Sequence, residues 1–183
     1  MILLTTSRRP TARMRTLCRD LVNSIPDVTR VNRGKMSLDG VAEKAIEVEA
    51  DQVVVVDRWR GEPGKINLFR ISSTGLKPVS PLMLIRGIRL RREFEETTRR
   101  ARSSAITLER EDSAELTRIA GHLSQYFGLP VLSADEASRK HRASMHFSFD
   151  SSQHIQITFM RLQRMVEIGP RVTLSKLVWE VQS

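Results

Sequence analysis

The sequence is poor in cysteine and has no long apolar run, and both shortages exclude whole classes of protein. Cys18 is the only cysteine among the 183 residues, so no disulfide can form within the chain. No segment approaches the ~20 consecutive apolar residues that a membrane-spanning helix needs. In the stretch "MILLTTSRRP" the apolar residues precede the arginines, which is the reverse of a secretory signal peptide. We therefore expect a cytoplasmic protein without a membrane partner.

Motifs of known catalytic chemistry are also missing. The chain contains no GxxxxGK[ST], GxGxxG, HExxH or GxSxG pattern. Cys18 shares a helical apolar stripe with Met14 and Leu21, which favours a buried hydrophobic role over a catalytic thiol. His146 and His154 fall on one face of a predicted hairpin, too far apart to share a metal ion. The sequence predicts no catalytic residue, no metal, no cofactor and no small-molecule substrate.

Lysine is scarce, yet positive charge is abundant. Of the 30 basic residues only 6 are lysine and 24 are arginine, and the formal net charge is +9 with a sequence pI of about 10.7. A basic chain has affinity for nucleic acid or for anionic surfaces. Arginine binds phosphate through two parallel hydrogen bonds and stacks on bases. This composition favours RNA as the partner.

The positive charge is concentrated in two regions. Residues 1–35 hold eight bases against two carboxylates, a local charge of +6, and residues 86–102 hold seven arginines against three glutamates, a local +4. The remaining residues sum to −1. Such clustering is typical of a surface that contacts a polyanion.

The order of apolar segments repeats, which predicts the fold. A short strand, a helix, a second strand and a second helix precede "QVVVVD", a run typical of a strand buried on both faces. A similar order starts again at "AITLE". The predicted class is α/β (α+β), with two pseudo-repeated halves that each form a mixed sheet with helices. We expect a single domain over 1–183, with halves at about 1–91 and 105–183 and a charged linker at about 92–104.

Several local expectations can be tested directly on coordinates. Ser7 is a plausible cap of the first helix and Ser37 of the second. Gly34 is expected at positive φ, because the chain must turn sharply before the second helix. The alternating apolar residues of the last hairpin share a face only if Phe149 lies opposite Ile155. Trp179 is expected to be buried in the C-terminal strand.

Basic turns at strand ends are the candidate binding sites. The segment from Ser7 to Pro10 combines arginines with the start of a helix, and "RVNRGK" has the same ingredients. If consecutive strands lie side by side, both turns reach one edge of the sheet. In "DRWRG", Trp59 stands between two arginines, where it either stacks on a base or, as we favour, packs on the adjacent sheet.

Four stretches in order resemble the Brix-domain family of ribosome-biogenesis proteins: "TTSRRP", "RVNRG", "DQVVVVDRWRGEPGKI" and "EIGPRVTLSKLVWE". The chain is similar to the single-domain archaeal members, which resemble eukaryotic Imp-type proteins. The resemblance implies two halves, each similar to the anticodon-binding domain of class II aminoacyl-tRNA synthetases. It also implies binding to ribosomal RNA precursors without catalysis, with ribosome-assembly proteins or guide ribonucleoproteins as further partners.

The sequence thus predicts a non-enzymatic RNA-binding factor of ribosome biogenesis. Two alternatives stay open: a basic protein-interaction scaffold within a ribonucleoprotein, and a tRNA or anticodon-binding module. The candidate RNA-binding residues are Ser7, Arg8, Arg9, Arg13, Arg30, Arg33, Lys35, Arg58, Arg60, Arg86, Arg89 and Arg171.

Overall fold

The computed structural model describes residues 1–96 and 101–181 of the chain. Its helices are α1 (Ala12–Ser24), α2 (Leu38–Glu47), α3 (Ala114–Phe127) and α4 (Ala134–Lys140), with a short 3-10 helix at Arg91–Glu93. Its strands are β1 (Ile2–Thr6), β2 (Val28–Arg30), β3 (Gln52–Trp59), β4 (Glu62–Ser72), β5 (Gly75–Arg89), β6 (Ala105–Leu108), β7 (Ala143–Phe149), β8 (Ile155–Arg161), β9 (Val166–Glu167) and β10 (Arg171–Val178).

The chain forms two compact units. The first comprises Met1–Val22, Asp27–Ile85 and Lys176–Ser183, and the second comprises Asn23–Pro26 and Arg86–Ser175. Strand β5 therefore starts in the first unit and ends in the second, whereas β10 starts in the second and ends in the first. This division assigns the segment from Lys176 onward to the first unit, whereas the sequence-based division placed that segment in the C-terminal half, at about 105–183.

The first unit is built on strands in the order β2-β1-β3-β4-β5. Strand β1 pairs in parallel with both β2 and β3, while β4 pairs antiparallel with β3 and with β5. The α2 residues Val41 and Ala45 pack against Leu3, Val53 and Val55 on one face of the sheet.

The other face of this sheet is covered as well. It buries Leu4, Val54 and Val56, which alternate with the residues facing α2. The chain runs from β1 to β2 through α1 and then back across β1 to β3 through α2. Because β-α-β crossovers are right-handed, these two crossings in opposite directions place α1 and α2 on opposite faces of the sheet. The valine run of β3 is therefore buried on both sides, as the sequence predicts.

The second unit repeats this arrangement. Strand β6 pairs in parallel with β7 and forms a bridge to Val131, and β7, β8 and β10 continue the sheet with antiparallel pairing. Helix α3 starts at the cap Ser113 and α4 at the cap Ser133. Each unit is thus a mixed sheet with two helices, which confirms the predicted fold class and its repeat. The strand expected between the two helices of this repeat is reduced to a single bridge between Ile106 and Val131.

Most of the predicted local details are confirmed. Phe149 lies opposite Ile155 in the β7–β8 hairpin, and Gly34 has a φ of +53°. The Ser37 hydroxyl accepts a hydrogen bond from the Gly40 amide at 3.1 Å and so caps α2. Cys18 is buried in α1, and this burial raises the pKa of its thiol to about 12.

One predicted packing detail differs from the structure, and one predicted segment is only partly described. Trp179 is half-buried and lies just beyond β10, which ends at Val178. The predicted linker at 92–104 is only partly described, since residues 97–100 lie outside the described residues. Its described part includes Phe94 and Ser103, both buried in the second unit.

Candidate nucleic-acid interface

Three connections of the first unit meet at one edge of its sheet. They are the β1–α1 loop, the β2–α2 loop and the two-residue turn between β3 and β4. Strands β1, β2 and β3 are parallel neighbours, with Ile2 opposite both Val28 and Gln52. Their carboxyl ends therefore lie side by side, which confirms the prediction that the basic turns share an edge.

Backbone and side-chain hydrogen bonds hold the loops close together. The Ser7 amide donates to the Val56 carbonyl at 2.9 Å, so the sheet continues into the β1–α1 loop. The Thr5 hydroxyl donates to the Val31 carbonyl at 2.9 Å. From the β3–β4 hairpin, Nη1 of Arg58 donates to the Arg9 carbonyl at 3.2 Å. The three connections thus form one surface.

Basic side chains dominate this surface. We name as the basic edge its five exposed members, which are Arg8, Arg9, Lys35, Arg58 and Arg60. No hydrogen bond or ion pair within residues 1–96 and 101–181 engages the side chains of Arg8, Arg9 or Lys35. These cations face solvent and are available to an anionic partner.

Arg13 and Arg30 lie beside the basic edge with part of their charge engaged. The Nε atom of Arg13 lies 3.3 Å from a carboxylate oxygen of Glu62. Arg30, at the end of β2, donates from Nη2 to the side-chain oxygen of Asn32 at 2.8 Å. Both guanidinium groups are half-buried, so their contribution to the surface is smaller than that of the basic edge.

Arg33 is buried, although its place in a turn suggested an exposed side chain. Only 8% of its surface is exposed, and its Nε donates to the Met36 carbonyl at 2.8 Å. Burial lowers the pKa of Arg33 from its ordinary value, against the attraction of Asp57. The guanidinium supports the β2–α2 loop from inside.

The prediction that Ser7 caps the first helix is wrong. Helix α1 starts at Ala12, and Thr11 is the residue whose hydroxyl accepts from the Met14 amide, at 3.3 Å. Ser7 instead extends the sheet, and its Oγ is buried without a hydrogen-bond partner among the described residues. Arg8 and Arg9 therefore lie farther from the start of α1 than the sequence predicted.

Trp59 is exposed, although the sequence favoured packing of its ring on the adjacent sheet. It is 69% exposed at the end of β3, so it does not pack on the sheet. The guanidinium carbon of Arg60 lies 5.9 Å from the centre of its ring. The basic edge thus includes a solvent-exposed aromatic ring.

The three remaining candidates belong to the second unit. Arg86 is exposed on β5. Arg89 lies over the Phe94 ring at 4.2 Å and donates from Nη2 to the Glu93 carbonyl at 2.6 Å. Arg171 also lies near that ring, at 5.6 Å, and its Nε donates to Glu167 at 2.6 Å.

The Arg171–Glu167 pair is a structural ion pair. Burial acts to raise the pKa of Glu167, but hydrogen bonds from Arg171 and Thr158 outweigh it and hold the pKa below its usual value. The hydrogen bond between the two side chains also raises the pKa of Arg171. Arg171 is therefore already neutralised by its neighbour, whereas Arg86 remains available.

The corresponding loops of the second unit have the opposite charge. The connection after β6 contains Glu109, Glu111 and Asp112, and the β7–β8 turn begins at Asp150. Arg110, the base within the first of these loops, is paired with Asp112 at 3.2 Å. The repeat therefore preserves the backbone plan but not the surface chemistry, and the basic edge is particular to the first unit.

Two further arginines of the second unit, Arg142 and Arg161, were not singled out from the sequence. Arg102, Arg142 and Arg161 line a cavity of about 410 Å³ in the second unit, together with Ala101 and Gln163. Arg161 lies 3.4 Å from Glu96. Arg142 and Arg161 lie at adjoining ends of the β7–β8 hairpin, whose predicted register already brings them close, whereas Arg102 comes from the segment before β6 and joins them only in the fold.

Two other kinds of site are absent from the described part of the chain. Across 1–96 and 101–181 there is no group of three or more His, Cys, Asp or Glu side chains that could hold a metal ion. Within the same ranges no helix has the length and apolar character needed to cross a membrane.

Comparison with known proteins found archaeal relatives that carry the same description. No family model matches the chain. A probable Brix domain-containing ribosomal biogenesis protein of Aeropyrum pernix is 37% identical over 90 residues, which are 49% of this chain and 50% of that protein. The protein of the same description from Pyrobaculum aerophilum is 29% identical over 140 residues, 75% and 74% of the two chains. That from Methanopyrus kandleri is 30% identical over 128 residues, 69% and 66% of the two chains.

Two solved structures have folds similar to that of this chain. A probable ribosomal biogenesis protein from Aeropyrum pernix matches with a TM-score of 0.78 at 24% identity, covering 97% of this chain and 98% of that one. An archaeal Imp4-like protein matches with a TM-score of 0.67 at 22% identity, covering 97% and 99%. These likenesses show a shared fold over nearly the whole chain.

The fold and surface define a two-unit α/β protein with a basic edge on its first unit. The chain belongs to the Brix-domain family, as the four sequence stretches predicted. Sequence alignment to the Aeropyrum relative spans only half the length of that protein.

Proposed function

We propose that this chain is a non-enzymatic RNA-binding factor of ribosome biogenesis, acting in the cytoplasm on a ribosomal RNA precursor. The names of its relatives, ribosomal biogenesis proteins, support the biological process. The basic edge supports RNA as the ligand. Ribosome-assembly proteins or guide ribonucleoproteins would then be partners within the same particle.

The observation that supports RNA most directly is the exposure of the basic edge. Arg8, Arg9 and Lys35 hold uncompensated charge at neighbouring loops of one rigid sheet. Phosphate contacts of this kind supply affinity and orient the RNA, without reading its sequence. Arg33 and the hydroxyl oxygen of Ser7 are buried, so we place them in the support of the loops and not in contact with the RNA.

The test is a charge reversal with a matched control. The variant Arg8→Glu/Arg9→Glu changes two exposed residues of the basic edge. The control Arg70→Glu/Lys77→Glu makes the same change in net charge. Arg70 and Lys77 are paired exposed residues near Gln52, at the amino end of β3 and therefore at the other end of the sheet.

RNA affinity would be measured for each protein over a series of salt concentrations. We expect the Arg8→Glu/Arg9→Glu variant to bind many RNA sequences more weakly and to a similar degree. Its plot of log affinity against log salt should flatten by about 0.7 for each single-strand phosphate that the variant no longer binds. The control should bind nearly as the parent does. Equal losses in both variants would indicate a general charge effect and contradict a localised site.

Two further outcomes separate this proposal from other classes. Unchanged affinity and salt slope in a well-folded Arg8→Glu/Arg9→Glu protein would favour a protein-interaction scaffold. Turnover of a labelled RNA precursor by nuclease-free protein would instead indicate an RNA-processing enzyme, and we expect none.

A further inference from the structure

Trp59 is an apolar ring left in water on a surface otherwise made of cations. Its 69% exposure is the highest among the exposed large hydrophobic residues of the described chain. Burying a tryptophan removes a large apolar area from water, so folding usually covers such a side chain. An exposed ring at a charged surface therefore points to a ligand that covers it.

The backbone next to Trp59 forms a tight hairpin turn. Arg60 and Gly61 have φ values of +49° and +86°, and Trp59 pairs with Glu62 across them. Two central residues at positive φ are the geometry of a type I′ hairpin turn, which matches the twist of the flanking strands. A Cβ atom on Gly64 would lie 2.2 Å from that of Trp59, so the facing strand approaches closely. Trp59 therefore stands at the base of a tight two-residue turn.

The ring lies beside a group that would hold a phosphate backbone, since the guanidinium carbon of Arg60 is 5.9 Å from its centre. Arg58 and Arg60 are exposed on either side of it, and Arg58 is hydrogen-bonded to the Arg9 carbonyl. The nearby Glu62 would repel phosphate, but Arg13 lies 3.3 Å from its carboxylate and offsets that charge. A polyanion bound along the basic edge would thus pass beside the Trp59 ring.

We infer that Trp59 stacks on an unpaired base of the bound RNA, so that the basic edge prefers single-stranded segments to duplex. In a duplex the bases are stacked on one another and their faces are not accessible to a side chain. In a single strand, a base can stack on an aromatic ring whatever its identity, while arginines bind the phosphates. The inference rests on the proposed function, and it adds the structural class of RNA recognised.

The two tryptophans of the chain permit a direct spectroscopic test. In a Trp179→Phe background, the remaining tryptophan fluorescence reports on Trp59 alone. We expect a single-stranded oligoribonucleotide to quench this fluorescence. A duplex of the same length, and heparin as a polyanion without bases, should quench it far less. Equal quenching by heparin would overturn the inference, because charge alone would then explain the signal.

Affinity measurements supply the second arm. Trp59→Ala should weaken single-strand binding on the order of 10-fold, while duplex affinity and the salt slope stay unchanged. Trp59→Phe, which keeps an aromatic face, should retain most of the affinity. Because Trp59 is exposed, both variants should melt at the parent temperature. Equal loss in the Phe and Ala variants would overturn stacking.

The two proposals fail in different ways. If Arg8→Glu/Arg9→Glu loses RNA affinity while Trp59→Ala binds single strands as the parent does, RNA binding stands and stacking is overturned. If neither variant changes RNA binding, the proposed site itself is wrong. If Trp59 fluorescence responds to a protein bound at the basic edge and not to RNA, the ring contacts protein and the inference is also overturned.

Discussion

Arg33 donates from Nη1 to the carbonyl oxygen of Thr6 at 3.4 Å, and so joins the β2–α2 loop to the end of β1. A second bond from its Nε to the Met36 carbonyl holds its own loop. A cation in a turn, expected to face solvent, is thus an internal support of the surface that its exposed neighbours form.

Arg33→Ala should therefore lower the free energy of unfolding. Hydrogen bonds of a charged donor contribute about 1.5–3 kcal/mol each, and their loss leaves buried carbonyls unpaired. Arg8→Ala, in the same surface but exposed, should stay within about 0.5 kcal/mol of the parent. Urea denaturation of both variants measures the difference, and equal stabilities would show that Arg33 does not support the loop.

A substitution at Gly34 tests the turn between Arg33 and α2. Gly34 has a φ of +53°, and a Cβ atom added to it would meet no atom within 4 Å, so Gly34→Ala should act through backbone strain alone. We expect a loss of about 1–2 kcal/mol, the usual cost of a left-handed conformation with a Cβ. Gly121→Ala, within helix α3 and equally unobstructed, should instead stabilise by about 0.5–1 kcal/mol. Thermal melts that show the same sign for both would contradict this assignment.

The second unit should lose stability in acid through His146. Burial lowers the pKa of His146 below its ordinary value of 6.5, against the attraction of Glu109 and Glu167. Its Nδ1 lies 2.9 Å from the Thr107 hydroxyl. The unfolded chain therefore takes up a proton first as the pH falls below 6.5, and the contribution of His146 to stability is lost as the pH approaches its folded-state pKa.

The measurement is the melting temperature at about pH 7.5 and about pH 5.5, in the parent and in His146→Gln. The glutamine keeps a polar partner for Thr107 but does not titrate. We expect a smaller acid-induced fall in the variant. An identical fall in both proteins would mean that other groups cause the acid sensitivity.

Cys18 should be chemically inert in the folded protein. Burial raises the pKa of its thiol to about 12, although Arg30 partly opposes the shift. Only the thiolate reacts with alkylating agents, so labelling at about pH 8 should be very slow until the chain unfolds. Mass spectrometry before and after addition of denaturant measures this, with Cys18→Ala as the unlabelled control. Rapid labelling of the folded chain would show that α1 opens readily.

The elements determined by sequence are those set by local pattern. The valine run of β3, the alternation that places Phe149 opposite Ile155, and the cap at Ser37 each depend on residues close together in the chain. The same holds for the positive φ of Gly34. The shared edge of the basic turns needed only one further rule, that consecutive parallel strands lie side by side.

Tertiary structure alone decided which basic residues face solvent. Arg33 and Arg8 both lie in basic strand-end turns, yet Arg33 is buried and donates hydrogen bonds to the carbonyls of Thr6 and Met36. Trp59 is the last residue of β3 and pairs with Glu62 beside the two-residue turn, and its ring is exposed because no described element covers it there. Arg102, from the segment before β6, meets Arg142 and Arg161 of the β7–β8 hairpin around a cavity only in the folded unit. Burial depends on contacts between residues distant in sequence, so no local pattern contains it.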